Sequence, residues 1–213
     1  MDRNPMGQWF DFSHRSSYYM ISFRRSMIVV SNAPYYGGGR VLRYVNRTVQ
    51  RDYNHNPREE IASFLSLEKI PSLGTIVTLT AVDVTRTEAL NVSDQIVMTI
   101  TCGTENALSI GSMGKIGIGT INVFVAALVN LKTEALLDLF QGVVEAKCQA
   151  LNDLNIRDRS TNKNAPGTST DTVTLCALDG NGGDHYGGRL TWIGKSVSVA
   201  VYDRLVKILS ENK

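Results

Sequence analysis

A change of period along the chain limits its fold more than any other feature. Over residues 94–102, Ile96, Met98, Ile100 and Cys102 alternate with Val97, Thr99 and Thr101. Over 118–126, Ile121, Val123 and Val125 share one face and Asn122 falls on the other. A period of two belongs to strands. Over 133–154 the apolar residues recur instead at helical spacing, and 191–209 reads as a second long helix. Between the two helices, residues 172–178 form a short strand-like run. Strands and helices that alternate in this way must bury a sheet face against helices.

The upstream half supplies more strands. Residues 18–23 and 27–31 are β-branched and aromatic runs separated by Arg24-Arg25-Ser26, which predicts a hairpin. Residues 41–49 and 74–82 read as strands, and 58–67 as a short helix, with Asn56 as its N-cap and Pro57 in its first turn. The order β-β-β-α-β-β-β-α-β-α predicts an α+β or mixed α/β fold, a single layered domain with a mixed β-sheet covered by helices. Its strand order is not readable from this pattern. Residues 1–16 stand ahead of the first strand as an N-terminal extension whose order is left open.

Composition narrows the partners. With 43% hydrophobic and 20% charged residues, the chain has the profile of a folded globular protein. A formal net charge of +2 gives no long-range pull toward nucleic acid or an anionic membrane, so a small-molecule partner is expected. No run reaches the ~18 apolar residues of a membrane span. The N-terminal stretch has no apolar h-region, so secretion is not expected. Cys102, Cys148 and Cys176 form no CxxC pair and suit reduced thiols in a cytoplasmic protein.

Two phosphate-loop lookalikes fail on chemistry. Gly111-Ser-Met-Gly-Lys-Ile116 has isoleucine where a hydroxyl must hold magnesium, and Ser109 where the opening glycine belongs. Gly117-Ile-Gly-Thr-Ile-Asn122 starts like a dinucleotide fingerprint but ends in asparagine within a strand pattern. His14, His55 and His185 are scattered, none at ligand spacing on a helix, so no metal site is expected. There is no G-x-S-x-G elbow.

Two charges break the local pattern. On a helical wheel with Leu136 at 0°, Phe140 falls at about 40°, Val143 at about 340° and Leu151 at about 60°. Lys147 falls at about 20°, inside that apolar arc, whereas Glu145 points away with Asp138, Gln141 and Gln149. Lys147 therefore either snorkels along the core edge in a structural ion pair or reaches a carboxylate in a pocket, Asp171 or Asp83. Asp171 ends the run Gly167-Thr-Ser-Thr-Asp171 at the threshold of a strand. It is either ordinary turn chemistry or a general base or substrate anchor, with Thr168, Ser169 and Thr170 as neighbours or a nucleophile.

Other candidates depend on glycine-rich loops. Residues 180–188 carry five glycines and His185, and an Asp171–His185 pairing requires that loop to fold back along the last strand. Asn32 precedes Pro34 and Gly37, Gly38 and Gly39, where the backbone can approach a large ligand closely. Asn122 is either a sheet-filling amide or a donor to a polar substrate.

Several stretches in this order resemble the adenosylcobinamide amidohydrolase family. They include Val30-Ser-Asn-Ala-Pro-Tyr-Tyr-Gly-Gly-Gly39, Tyr44-Val-Asn-Arg-Thr-Val49, Thr80-Ala-Val-Asp-Val84 and Cys102-Gly103 with Asn106-Ala107. Gly119-Thr-Ile-Asn122, Glu145-Ala-Lys-Cys-Gln-Ala-Leu151, Gly167-Thr-Ser-Thr-Asp171 and Tyr186-Gly-Gly188 continue the series nearly to the C-terminus. Two positions depart from the family pattern: Ser169 replaces an alanine, and Asn32 replaces a serine, which argues against a nucleophile there.

The resemblance implies hydrolysis of the amide that joins the aminopropanol arm to the corrin of adenosylcobinamide. The expected products are adenosylcobyric acid and aminopropanol. The corrinoid is then a small-molecule substrate, no cofactor is needed, and cobalt enters only within that substrate. The overlap of anomalies with motifs nominates Asp171, Lys147, His185 and Thr170 for catalysis. It nominates Asn32, Gly37, Gly38, Gly39, Asn46, Asp83, Asn106, Asn122 and Tyr186 for substrate contact. A corrinoid-binding module without catalysis, an amidohydrolase for another aliphatic amide, and a homo-oligomeric state are left open.

Overall fold

β-Branched and aromatic residues favour pleated, half-buried surfaces, and runs of them recur along this chain. A computed structural model of the protein describes residues 5–50, 53, 55–114, 119–180 and 182–211. Its first half contains a short α1 (Pro5–Gln8), β1 (Phe10–His14), β2 (Tyr18–Ser31), β3 (Tyr35–Tyr36), β4 (Val41–Thr48), α2 (Pro57–Leu67) and β5 (Thr75–Thr80). The second half contains β6 (Leu90–Asn91), β7 (Ile96–Cys102), β8 (Ala107–Leu108), β9 (Ile121–Asn130), α3 (Thr133–Asp153), β10 (Gly167–Thr168), β11 (Thr172–Leu178) and α4 (Trp192–Glu211).

Nine strands form one mixed sheet in the order β3-β5-β4-β2-β11-β9-β7-β6, with β1 added beside β2. Only β4–β5 and β9–β11 run parallel. Parallel neighbours require a crossover, and α2 and α3 provide the two crossovers. Asn56 caps α2 by accepting the Arg58 N–H, as the sequence predicts.

The two runs read as a hairpin instead belong to one strand. Tyr18–Ser22 pairs with β4, and Ile28–Ser31 pairs with β11. Five residue steps on β2, from Ser22 to Met27, match two on β4, so Arg24-Arg25-Ser26 forms a wide bulge. That segment has no glycine, proline or asparagine to close a tight turn. The β2 chain instead passes from one half of the sheet to the other. Residues 10–14, within the expected extension, form β1, with Phe10 buried edge-on against Phe23.

The sheet folds on itself along β2 and forms layers. Outward-facing Tyr18, Val45 and Val77 pack on Ile61, Phe64 and Leu65 of α2. Inward-facing Tyr19, Tyr44 and Ile76 of one half meet Val97, Phe124, Ala126 and Cys176 of the other. The Tyr44 and Phe124 rings stack with centroids 4.3 Å apart. On the far side Met98, Val123, Val125 and Leu175 pack under α3 and α4. The result is an α+β domain with both outward faces covered by helices. The alternation expected in β9 holds from Ile121 onward, while Gly117 and Ile118 lie outside the described residues, as do Lys115 and Ile116. No helix among the described residues is long and apolar enough to cross a membrane.

Candidate active site

The anomalous charges meet. Asp171 follows β10 through a tight turn and opens β11, while Lys147 projects from the buried face of α3. The Lys147 ammonium donates to Asp171 Oδ2, and each side chain is 10% exposed. The Thr168 N–H also donates to Oδ2, at 3.0 Å. Oδ1 accepts from Ile121 N–H at 3.0 Å and from the Thr168 hydroxyl at 2.5 Å. A carboxylate has about four lone-pair sites, so all of them are occupied. A buried charge is tolerable when paired and fully hydrogen-bonded, as it is here.

Gly167 makes room for the pair. A Cβ at that position would sit 2.4 Å from Asp171 Oδ2 and 2.6 Å from Lys147 Nζ.

Asp171 lines a cavity of about 580 Å³ at one edge of the layered sheet. There the C-terminal ends of β2 and β5 converge with the N-terminal ends of β9 and β11. Asn32 lies on its wall and is fixed to the start of β11. Its Nδ2 donates to the Asp171 carbonyl at 3.0 Å, and its Oδ1 accepts from Val173 N–H at 2.7 Å. Thr170 meets Thr120 with hydroxyls 2.7 Å apart, and Asn106 Nδ2 donates to Ser169 Oγ at 3.5 Å. Tyr53, Gln50 and Pro57 form the opposite wall. Burial, followed by the neighbouring Glu60 carboxylate, pushes the Tyr53 phenol up to about 12, so it stays a neutral donor at physiological pH.

Below the cavity lies a sealed polar network. The Thr172 hydroxyl, on the cavity wall, donates to Asn122 Oδ1 at 2.8 Å. Asn122 Nδ2 donates to Asn46 Oδ1 at 3.1 Å and to the Leu79 carbonyl at 2.9 Å. Asn46 Nδ2 continues to Thr101 Oγ1 at 2.9 Å and to the Tyr19 hydroxyl at 3.3 Å. Asn46 and Asn122 have no exposure, so both act beneath the cavity rather than in it.

Other nominated residues lie elsewhere. His185 is exposed and pairs with Glu134 at 2.5 Å, at the far end of β11. That strand has seven residues, which is roughly 20 Å of chain. The loop does not fold back, and the Asp171–His185 pairing is not formed. Tyr186 is at the same remote end and is 76% exposed. Gly37, Gly38 and Gly39 pack against residues 72–75 at the start of β5, whereas the cavity is at its end. Asp83 Oδ1 caps a short turn by accepting from Thr85 N–H at 2.9 Å. It borders a hollow that shares Val49, Gln50 and Ala81 with the main cavity. Thr120 and Tyr53 were missed as site residues, because a threonine at a strand edge and a tyrosine in a loop break no pattern.

Among the described residues no three His, Cys, Asp or Glu side chains converge to hold a metal ion. What converges instead is one paired carboxylate, several hydroxyls and several carboxamides around a cavity. That set can position a neutral amide, deprotonate water and donate hydrogen bonds to a carbonyl oxygen.

The chain shares 33% identity over 94 residues with an uncharacterized protein of Methanocaldococcus jannaschii. The match covers 42% of this chain and 37% of that protein's length. The family model for adenosylcobinamide amidohydrolase matches residues 6–213, nearly the whole chain. The cavity and its paired carboxylate thus lie within the matched region, and the chain belongs to the adenosylcobinamide amidohydrolase family.

Proposed function

We propose that this protein hydrolyses the amide between the corrin ring and the aminopropanol arm of adenosylcobinamide, releasing aminopropanol and adenosylcobyric acid. One observation carries the reading. Asp171 is the sole carboxylate among the described residues lining the cavity, and neutral carboxamides and hydroxyls surround it. A corrinoid presents carboxamide arms, which those groups can pair with.

In the proposed mechanism the Thr168 hydroxyl rotates away from Asp171 Oδ1 when substrate and water enter. Oδ1 then takes a proton from the water as its oxygen attacks the carbonyl carbon. The same carboxyl returns that proton to the amine nitrogen as the C–N bond breaks, so water is consumed and one acid and one amine are formed. Lys147 keeps its proton and balances the carboxylate throughout. Thr170 contributes a hydroxyl to the wall. His185 has no part, and the cobalt stays within the substrate.

Incubating the purified protein with adenosylcobinamide and assaying free aminopropanol tests the reading. Release of aminopropanol supports it. Saturable corrinoid binding without release would make the protein a corrinoid carrier instead.

A further inference from the structure

Thr120 and Thr170 come from different segments, held side by side because Asp171 Oδ1 accepts the N–H of Ile121. Their hydroxyls lie 2.7 Å apart, and both residues line the cavity. Two touching hydroxyls share one proton between their oxygens, so the other proton must find a different acceptor. Thr170 has a distant outlet, the Gly119 carbonyl at 3.4 Å. Thr120 has no acceptor except Thr170 among the described residues.

The pair therefore has two proton arrangements. In one, Thr120 donates to Thr170, whose proton goes to Gly119. In the other, Thr170 donates to Thr120, whose own proton is turned into the cavity. The first relies on a long bond at the edge of hydrogen-bonding range. An oxygen placed in the cavity favours the second, because each donation in a chain strengthens the next.

We propose that Thr120 is a further catalytic residue, whose hydroxyl donates to the carbonyl oxygen of the scissile amide with Thr170 behind it. This inference rests on the hydrolase reading above. Negative charge grows on that oxygen during attack, so the donor is worth more in the transition state than in the ground state.

The test compares wild type, Thr120→Val and Thr120→Ser with adenosylcobinamide, measuring kcat, KM and the unfolding midpoint. Valine keeps the shape and removes the donor. Thr120→Val should lower kcat by about 10²- to 10³-fold with KM changed by less than about threefold. Thr120→Ser should recover kcat to within about tenfold of wild type. A merely structural threonine would not give that split or that rescue. Thr120→Val with near-wild-type kcat, or Thr120→Ser as impaired as Thr120→Val, overturns the proposal. If wild type itself releases no aminopropanol, the hydrolase reading fails separately. The catalytic role of Thr120 then falls with it, whatever the variant's affinity for adenosylcobinamide.

Discussion

Lys147 and Asp171 are twenty-four residues apart in sequence, yet their charged groups form an ion pair whose side chains are each 10% exposed. The lysine lies on a helix face otherwise made of core residues, and the aspartate stands where a turn becomes a strand. Neither charge is tolerable there alone, and each explains the other. The pair also connects α3 to the edge of the sheet where the cavity opens.

Removing the lysine should therefore cost more than its exposure suggests. Breaking a buried pair from one side typically destabilises by about 3–5 kcal/mol, because the remaining charge is unpaired. Lys147→Met should lower the denaturant midpoint accordingly, and a Lys147→Met/Asp171→Asn double variant should recover part of the loss. Chemical unfolding of wild type and the two variants checks this. A Lys147→Met protein as stable as wild type would mean the pair is not formed.

The Asn122 network makes a different prediction. Asn122→Ala removes the partner of the Thr172 hydroxyl, Asn46 Oδ1 and the Leu79 carbonyl, and Asn46 has no exposure to take up water instead. With about 1–3 kcal/mol for a stranded group, a total loss of about 3 kcal/mol is expected by denaturant unfolding. The effect on kcat should be smaller than that of a change at Asp171, because Asn122 does not reach the cavity.

A pH effect on stability is expected from Asp158. Its Oδ1 accepts from Ser160 N–H at 2.8 Å and from the Ser160 hydroxyl at 2.5 Å. Its Oδ2 accepts from Ser109 N–H at 3.0 Å and from the Ser109 hydroxyl at 2.9 Å. These bonds, the Ser160 hydroxyl first, hold its carboxyl far below the ordinary aspartate range. The stability from a carboxylate with a lowered folded value is complete above its unfolded value of about 4 and is lost as pH falls below it. Asp158→Asn should unfold at a lower temperature than wild type at pH 7, and the gap should narrow between about pH 4 and pH 2. Thermal unfolding across pH checks this, and a constant gap would contradict it.

What was legible in the sequence follows a physical rule. Lys147 could be found because a helix has a strict period, so one charge in an apolar arc stands out. Asp171 could be found because strands rarely begin with a charge that needs burying. The choice between Asp171 and Asp83 as the lysine's partner needed the fold, since both precede or follow strands and neither pattern encodes distance. The glycine loops around His185 and around Gly37, Gly38 and Gly39 suggested close ligand approach. Flexibility, however, does not tell which end of a strand a loop occupies, and both lie away from the cavity. The bulge in β2 was unreadable because its two halves pair with β4 and β11, and β11 lies some 140 residues further on. Thr120 lies within the Gly119-Thr-Ile-Asn122 stretch but was not singled out, because a threonine at a strand end is unremarkable until its neighbour is known.

Asp171→Asn offers the most direct test, because it keeps the side chain's size while removing the carboxylate that the mechanism uses twice. Turnover of adenosylcobinamide to aminopropanol should fall by at least about 10²-fold, measured at a temperature where the variant, destabilised by its unpaired Lys147, is still folded and binds the corrinoid. An Asp171→Asn protein that releases aminopropanol at the wild-type rate would contradict the account.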